Sequence, residues 1–236
     1  MKEQFCSEIN NVFNKHNIFL TEKQTEDFYK YYSLLIEWNQ KFNLTAITEQ
    51  KEIIVKHFLD SVVCYNLLPD NAKIIDVGAG AGFPSFPLKI LRPDLKITLI
   101  DSVNKKVSFQ QEVIKQLNFK DVEAIHTRAE DLAKNIKYRE NFDACVSRAV
   151  AQLNTLAEYS LPFIKVGGTM FSYKANDIQE ELNNSKNAIS ILGGKIKEIE
   201  DFIVDNVDRK IIIINKVSTT PSKYPRPGNK PRLIPL

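Results

Sequence analysis

The chain has 236 residues, 43% hydrophobic and 26% charged, enough for one large domain or one domain plus a smaller one, with the profile of a globular protein. No apolar run approaches the roughly 20 residues that cross a bilayer, and the opening "MKEQFCSEINNVF" carries early acids and no apolar core, so neither a membrane span nor a secretory leader is expected. The net charge of +3 is unevenly placed: residues 1–72 hold seven lysines and no arginine against ten acids, and the positive excess lies in the remainder.

In chain order, the first 70 residues read as helices. "TEKQTEDFYKYYSLLIEWNQ" opens with Thr21 and Gln24, a capping-box pattern, and Phe28, Tyr31, Leu35 and Trp38 fall on one helical face. A further helix is expected from Thr48, with Ile54, Phe58 and Val62 inward; no glycine precedes Gly78. From residue 73 strands and helices alternate. The expected strands are 73–77, 96–100, 122–127, 142–147 and 168–173, which implies a parallel sheet with helices on both faces. "DFIVDNVDRKIIIINKV" reads as an antiparallel hairpin linked by residues 205–210. The last stretch, "STTPSKYPRPGNKPRLIPL", is proline-rich and basic, with Lys216, Lys223, Arg226, Lys230 and Arg232 and no acid in the final 22 residues. It is expected to lack regular structure unless something holds it. The division expected is a helical segment over 1–70, an α/β domain over 71–217 and a tail over 218–236.

The stretch "KIIDVGAGAGF" (73–83) decides the chemistry. A dinucleotide site asks for G-x-G-x-x-G; Gly78 and Gly80 fit, but Phe83 stands where the third glycine belongs and Gly82 comes one residue early. Asp76 would also repel a pyrophosphate. S-adenosylmethionine, with its sulfonium and ammonium, has no such conflict, so D-x-G-x-G-x-G favours it without closing off a nicotinamide cofactor. Asp101 ends the second strand, where a carboxylate accepts both ribose hydroxyls in either case. It also stands where a helix cap would. Ala129 and Glu130 follow the third strand, where an adenine edge would lie, and Arg148 follows the fourth. Cys6, Cys64 and Cys145 form no C-x-x-C pair and read as thiols of a reducing cytoplasm, Cys145 as core. His16, His57 and His126 lack zinc-ligand spacing, so no metal is expected. His57 and Asp60, three apart on one helix, read as a structural pair.

Together the stretches "WNQKFNLTAIT", "HFLDS", "IIDVGAGAGFPSFPLKI", "TLIDSVNKKVSF", "RAED", "VSRAVAQL", "LPFIKVGG" and "YPRPGNKP" resemble the RsmG (GidB) family of bacterial small-subunit ribosomal RNA methyltransferases. The resemblance implies a seven-stranded, doubly wound class I methyltransferase sheet with an N-terminal helical extension. It implies transfer of a methyl group from S-adenosylmethionine to N7 of one guanine in 16S rRNA, by a cytoplasmic protein, with a monomer as the default. By motif, Gly78, Gly80, Phe83, Asp101, Ala129, Glu130 and Arg148 would meet the cofactor, with Arg148 near the reacting centre. Lys105, Lys106, Lys174, Lys223, Tyr224 and Arg226 are the candidates for RNA, with Arg128 beside them. Ser85 replaces the usual glycine of "GFPG", and the tail motif is shortened. Rival readings are a methyltransferase of small molecules or proteins, a nicotinamide oxidoreductase and a non-catalytic RNA-binding protein.

Overall fold

The computed structural model describes residues 2–148, 150–174, 178–205 and 207–236. Seven strands form one sheet in the order β3-β2-β1-β4-β5-β7-β6. They are β1 (Lys73–Val77), β2 (Lys96–Asp101), β3 (Val122–His126), β4 (Phe142–Arg148), β5 (Ile164–Lys174), β6 (Gly194–Val204) and β7 (Val207–Lys216). β1 to β5 are parallel and β7 runs antiparallel to both neighbours. β1 is central: Ile74, Ile75, Asp76 and Val77 are all buried, as expected of a strand covered on both faces.

On one face lie α1 (Lys2–Asn14), α2 (Glu22–Phe42) and a helical stretch made of α3 (Gln50–Glu52), a π-helical turn (Ile53–Leu59) and α4 (Asp60–Val62). The capping box forms as read: Thr21 and Gln24 satisfy each other's backbone N–H groups. Phe28, Tyr31 and Leu35 are fully buried, and Trp38 packs 5.6 Å from Phe109. The next helix starts at Gln50 rather than Thr48, because the Glu49 side chain caps it. Its apolar residues share one continuous core with Ile74, Leu99 and Val146 of the sheet. α5 (Ser85–Leu91) and α6 (Asn104–Gln116) complete this face. α7 (Ala129–Leu132), α8 (Leu153–Ser160) and α9 (Gln179–Ile191) cover the other.

Three strand and turn boundaries differ from the sequence reading by more than one residue. β5 begins at Ile164, not 168, because a register shift between Phe142 and Ala144 lets residues 165–167 bulge into solvent. β6 begins at Gly194, not Asp201. Its "KIKEIE" intersperses charged and aliphatic residues without strict alternation, because it is an edge strand whose register shifts between Ile196 and Glu198. The hairpin link is shorter than expected: pairing resumes at Val207 after Asp205, which sits at φ +48°, and Asn206 lies outside the described residues.

The tail is not loose. Arg139 donates to the carbonyls of Thr220, Pro221 and Tyr224. Arg226 pairs with Glu158 at 2.6 Å, a carboxylate only 1% exposed. Thr155 donates to the Pro231 carbonyl at 2.9 Å, and a last helical turn, α10 (Lys230–Leu233), follows.

Candidate active site

The glycine loop leaves β1 and is stitched to β2 by two N–H donors, Gly78 at 2.9 Å and Ala79 at 3.1 Å, to the Ile100 carbonyl. Gly78 has φ +74°, and a Cβ there would come within 2.7 Å of the Val150 side chain. At Gly82, φ +95°, a Cβ would overlap the Phe86 ring at 2.1 Å. At both positions handedness and space exclude a side chain. The loop is clamped from both flanks. Tyr31 of α2 donates to the Ala81 carbonyl at 2.6 Å, and Gln110 of α6 donates to that of Gly80 at 2.8 Å.

Asp101 joins loop and sheet. Its Oδ2 accepts from the Gly80 N–H at 2.9 Å, and its Oδ1 accepts from Val103 N–H, also at 2.9 Å, an Asx turn that leads into α6 without capping it, since Val103 is the N-cap residue and no side chain caps it. Each carboxylate oxygen keeps lone pairs for a further donor, so the turn and a ligand role coexist. Beyond it opens a cleft of about 400 Å³ whose lining includes Gly78, Asp101, Ala129 and Glu130 together with Val150, Tyr159, Asn229 and Arg232. It lies at the carboxyl ends of β1 to β4, the ligand position of open α/β sheets.

Four of the seven residues expected at the cofactor therefore line one cleft. Gly80 stands behind Asp101, while Phe83 and Arg148 face the other side of the loop, against the helical extension. There the Arg148 guanidinium donates to Asp60 at 2.8 Å and to His57 Nδ1 at 3.2 Å, and lies 5.0 Å over the Phe83 ring. His57 stacks on Phe83 with centroids 4.4 Å apart. Because Nδ1 accepts from an arginine, the ring proton sits on Nε2 and is donated to Thr45 Oγ1 at 2.8 Å. Burial, reinforced by the Arg148 charge, pushes the His57 pKa down to about 4, so the ring is neutral at physiological pH. The π-helical turn exposes the Lys56 and His57 carbonyls to Arg148 at 3.3 and 3.5 Å, the kind of local loosening found at functional sites. His57 and Asp60 are thus joined through Arg148, a link that spacing on one helix does not reveal.

Asp76 lies beneath the loop, wholly buried, not at its mouth. Ser85 donates to its Oδ2 at 2.6 Å, while Oδ1 has no hydrogen-bond partner among the described residues. Ser85 is thus turned to Asp76 and not to the cleft. Burial pushes the Asp76 pKa up to about 8, against the pull of Ser85 and Arg148. The Asp101 and Glu130 carboxylates that face the cleft, with the glycine cradle, suit a cationic nucleoside better than a pyrophosphate.

The RNA candidates scatter. Lys105 is exposed, and Lys106 reaches to 3.7 Å from Asp101. Lys174 is committed to Glu181 at 2.6 Å. Lys223 is exposed, beside the Tyr224 ring. Tyr224 is itself 7% exposed, and Arg226 is spent on Glu158. The structure thus gives Tyr224 and Arg226, expected among the RNA candidates, a place as anchors of the tail. Cys64 and Cys145 are buried, their thiols pushed up to about 12 by burial. Among the described residues no group of three metal-ligand side chains gathers, and no helix is long and apolar enough to cross a membrane. Sequence reasoning missed Tyr31, Gln110, Asn229 and Arg232 at the site; the first read as a core stripe and the last as one more basic tail residue.

Solved structures share the fold. TYW2 of M. jannaschii in complex with AdoMet aligns with a TM-score of 0.54 at 15% identity over 72% of this chain and 77% of that one. A SAM dependent methyltransferase from Aquifex aeolicus also gives 0.54, at 16% identity over 73% and 97%. Closer kinship comes from sequence. The chain is 51% identical to the Ribosomal RNA small subunit methyltransferase G of Thermoanaerobacter sp. (strain X514), over 93% of each chain. It is 46% identical to that of Lactococcus lactis subsp. cremoris (strain MG1363), over 93% and 94%. The family model GidB, rRNA small subunit methyltransferase G, matches residues 24–212. The chain belongs to the small-subunit ribosomal RNA methyltransferase G (GidB) family.

Proposed function

We propose that this chain transfers a methyl group from S-adenosylmethionine to N7 of a guanine in 16S ribosomal RNA, acting on naked rRNA or the small subunit in the cytoplasm. The observation that carries the reading, beside family membership, is the cleft beneath the glycine loop, with Asp101 at the end of β2 and Ala129 and Glu130 after β3. In this reading Asp101 takes the ribose hydroxyls, Ala129 and Glu130 meet the adenine edge, and the Gly78–Gly80 backbone cradles the methionine end. The bound cofactor supplies an electrophilic methyl on a sulfonium.

Guanine N7 carries an in-plane lone pair and no proton, so no general base is needed. The protein's work is alignment and the exclusion of water. Arg148, fixed by Asp60 and His57, acts as a positioning residue: it holds Phe83 and a neutral His57 against the back of the glycine loop. Among the RNA candidates, Lys105 and Lys223 are exposed and lie outside the cleft lining, which leaves them open to RNA phosphates.

The test is transfer of labelled methyl from S-adenosylmethionine to small subunits lacking the modification, mapped by borohydride-aniline cleavage at 7-methylguanosine. Label at a single guanine is expected. Label elsewhere, or none with cofactor still bound, refutes the acceptor assignment.

A further inference from the structure

S-adenosylmethionine carries a carboxylate as well as its two positive groups, and Asp101 and Glu130 cannot receive it. Three cations reach the cleft: Lys106, Arg128 and Arg232. Lys106 faces Asp101 at 3.7 Å, and Arg128 faces Glu130 at 3.5 Å and the Asn229 side-chain oxygen at 3.3 Å. Arg232 has no acidic partner among the described residues; its guanidinium makes only a long contact, 3.5 Å, to the Val150 carbonyl. Val150 is the residue whose side chain closes over Gly78. Arg232 therefore stands beside Val150, in the stretch of cleft wall that reaches the glycine loop.

We infer that Arg232, carried by the C-terminal tail, binds the α-carboxylate of S-adenosylmethionine. The inference rests on the cofactor reading above and deepens it. Its physical basis is threefold. A guanidinium presents a planar fork that matches a carboxylate. It is the one cleft cation, among the described residues, not already facing an acid. And the tail that delivers it is built onto the domain: Pro231 is buried and accepts from Thr155, and upstream Arg226 grips Glu158. A tail meant only as an arm for RNA has no need of such anchors. The placement makes the segment after β7 part of the cofactor site.

The experiment compares two ligands by calorimetric titration of wild type, Arg232→Ala and Arg232→Lys. S-adenosylhomocysteine keeps the carboxylate; 5′-methylthioadenosine has the same nucleoside and no amino-acid end. Loss of a charge-assisted contact predicts that Arg232→Ala weakens S-adenosylhomocysteine by about tenfold to a hundredfold. Methylthioadenosine affinity should stay unchanged, and Arg232→Lys should recover part of the loss. Equal weakening of both ligands overturns the inference, since the tail then only shapes the cleft; so does no change in either. If wild type binds neither ligand, the cofactor reading itself falls, and this inference with it.

Discussion

Asp76 is protonated at neutral pH in the free protein, because burial raises its pKa from an ordinary 3.8 to about 8. The sign of the consequence follows. Between about pH 4 and pH 8 the folded state holds a proton that the unfolded chain has released, so this group's contribution to stability falls as pH rises through that window. Asp76→Asn removes the slope. Urea midpoints at pH 5 and pH 8 should show wild type losing stability relative to the variant, by up to about 1.4 kcal/mol per pH unit; parallel curves would contradict the assignment. The acid two residues before Gly78 was legible in the sequence. What was not legible is that Ser85, nine residues later, turns its hydroxyl to that acid. Such a pairing depends on how the loop folds back under itself, and spacing does not encode it.

At the scale of elements, α2 does more than cover the sheet. Its amphipathic stripe and capping box could be read directly, because both are local and periodic. That Tyr31 uses its hydroxyl on the Ala81 carbonyl could not, since a tyrosine in an apolar stripe looks like any aromatic. Tyr31→Phe leaves a buried carbonyl without its donor. It should lower stability by about 1–2 kcal/mol in chemical denaturation and weaken S-adenosylmethionine binding. A loss of stability with unchanged affinity would show that the clamp is not needed to shape the loop. Two errors of the sequence reading, at β6 and the tail, share a cause. Both are edge elements, whose residues answer to solvent on one side and to distant partners on the other. Interspersed charge hid the first half of β6, and five prolines hid the anchors of the tail.

Across the whole molecule the tail ties the two sides of the site together. Removing Arg226 leaves the Glu158 carboxylate buried without its cation. Arg226→Ala should cost about 2–3 kcal/mol, less than a fully buried pair because the guanidinium is 21% exposed. The same variant should reduce affinity for S-adenosylmethionine along with stability, because Asn229 and Arg232 follow it in the chain. An intact fold and cofactor affinity with weakened RNA binding alone would restore the view of the tail as an arm.

The walls of the cleft come from residues near 78, 101, 129, 150, 159 and 232, so no local segment of the chain can assemble it. A ligand of this site recognises the finished fold and has no foothold on a partly folded one. By mass action it then stabilises the entire molecule: at a hundredfold excess over its dissociation constant it contributes about 2.7 kcal/mol. The cofactor that serves the chemistry thus also acts as a thermodynamic chaperone, and a cell that is short of it holds this protein closer to its unfolding threshold.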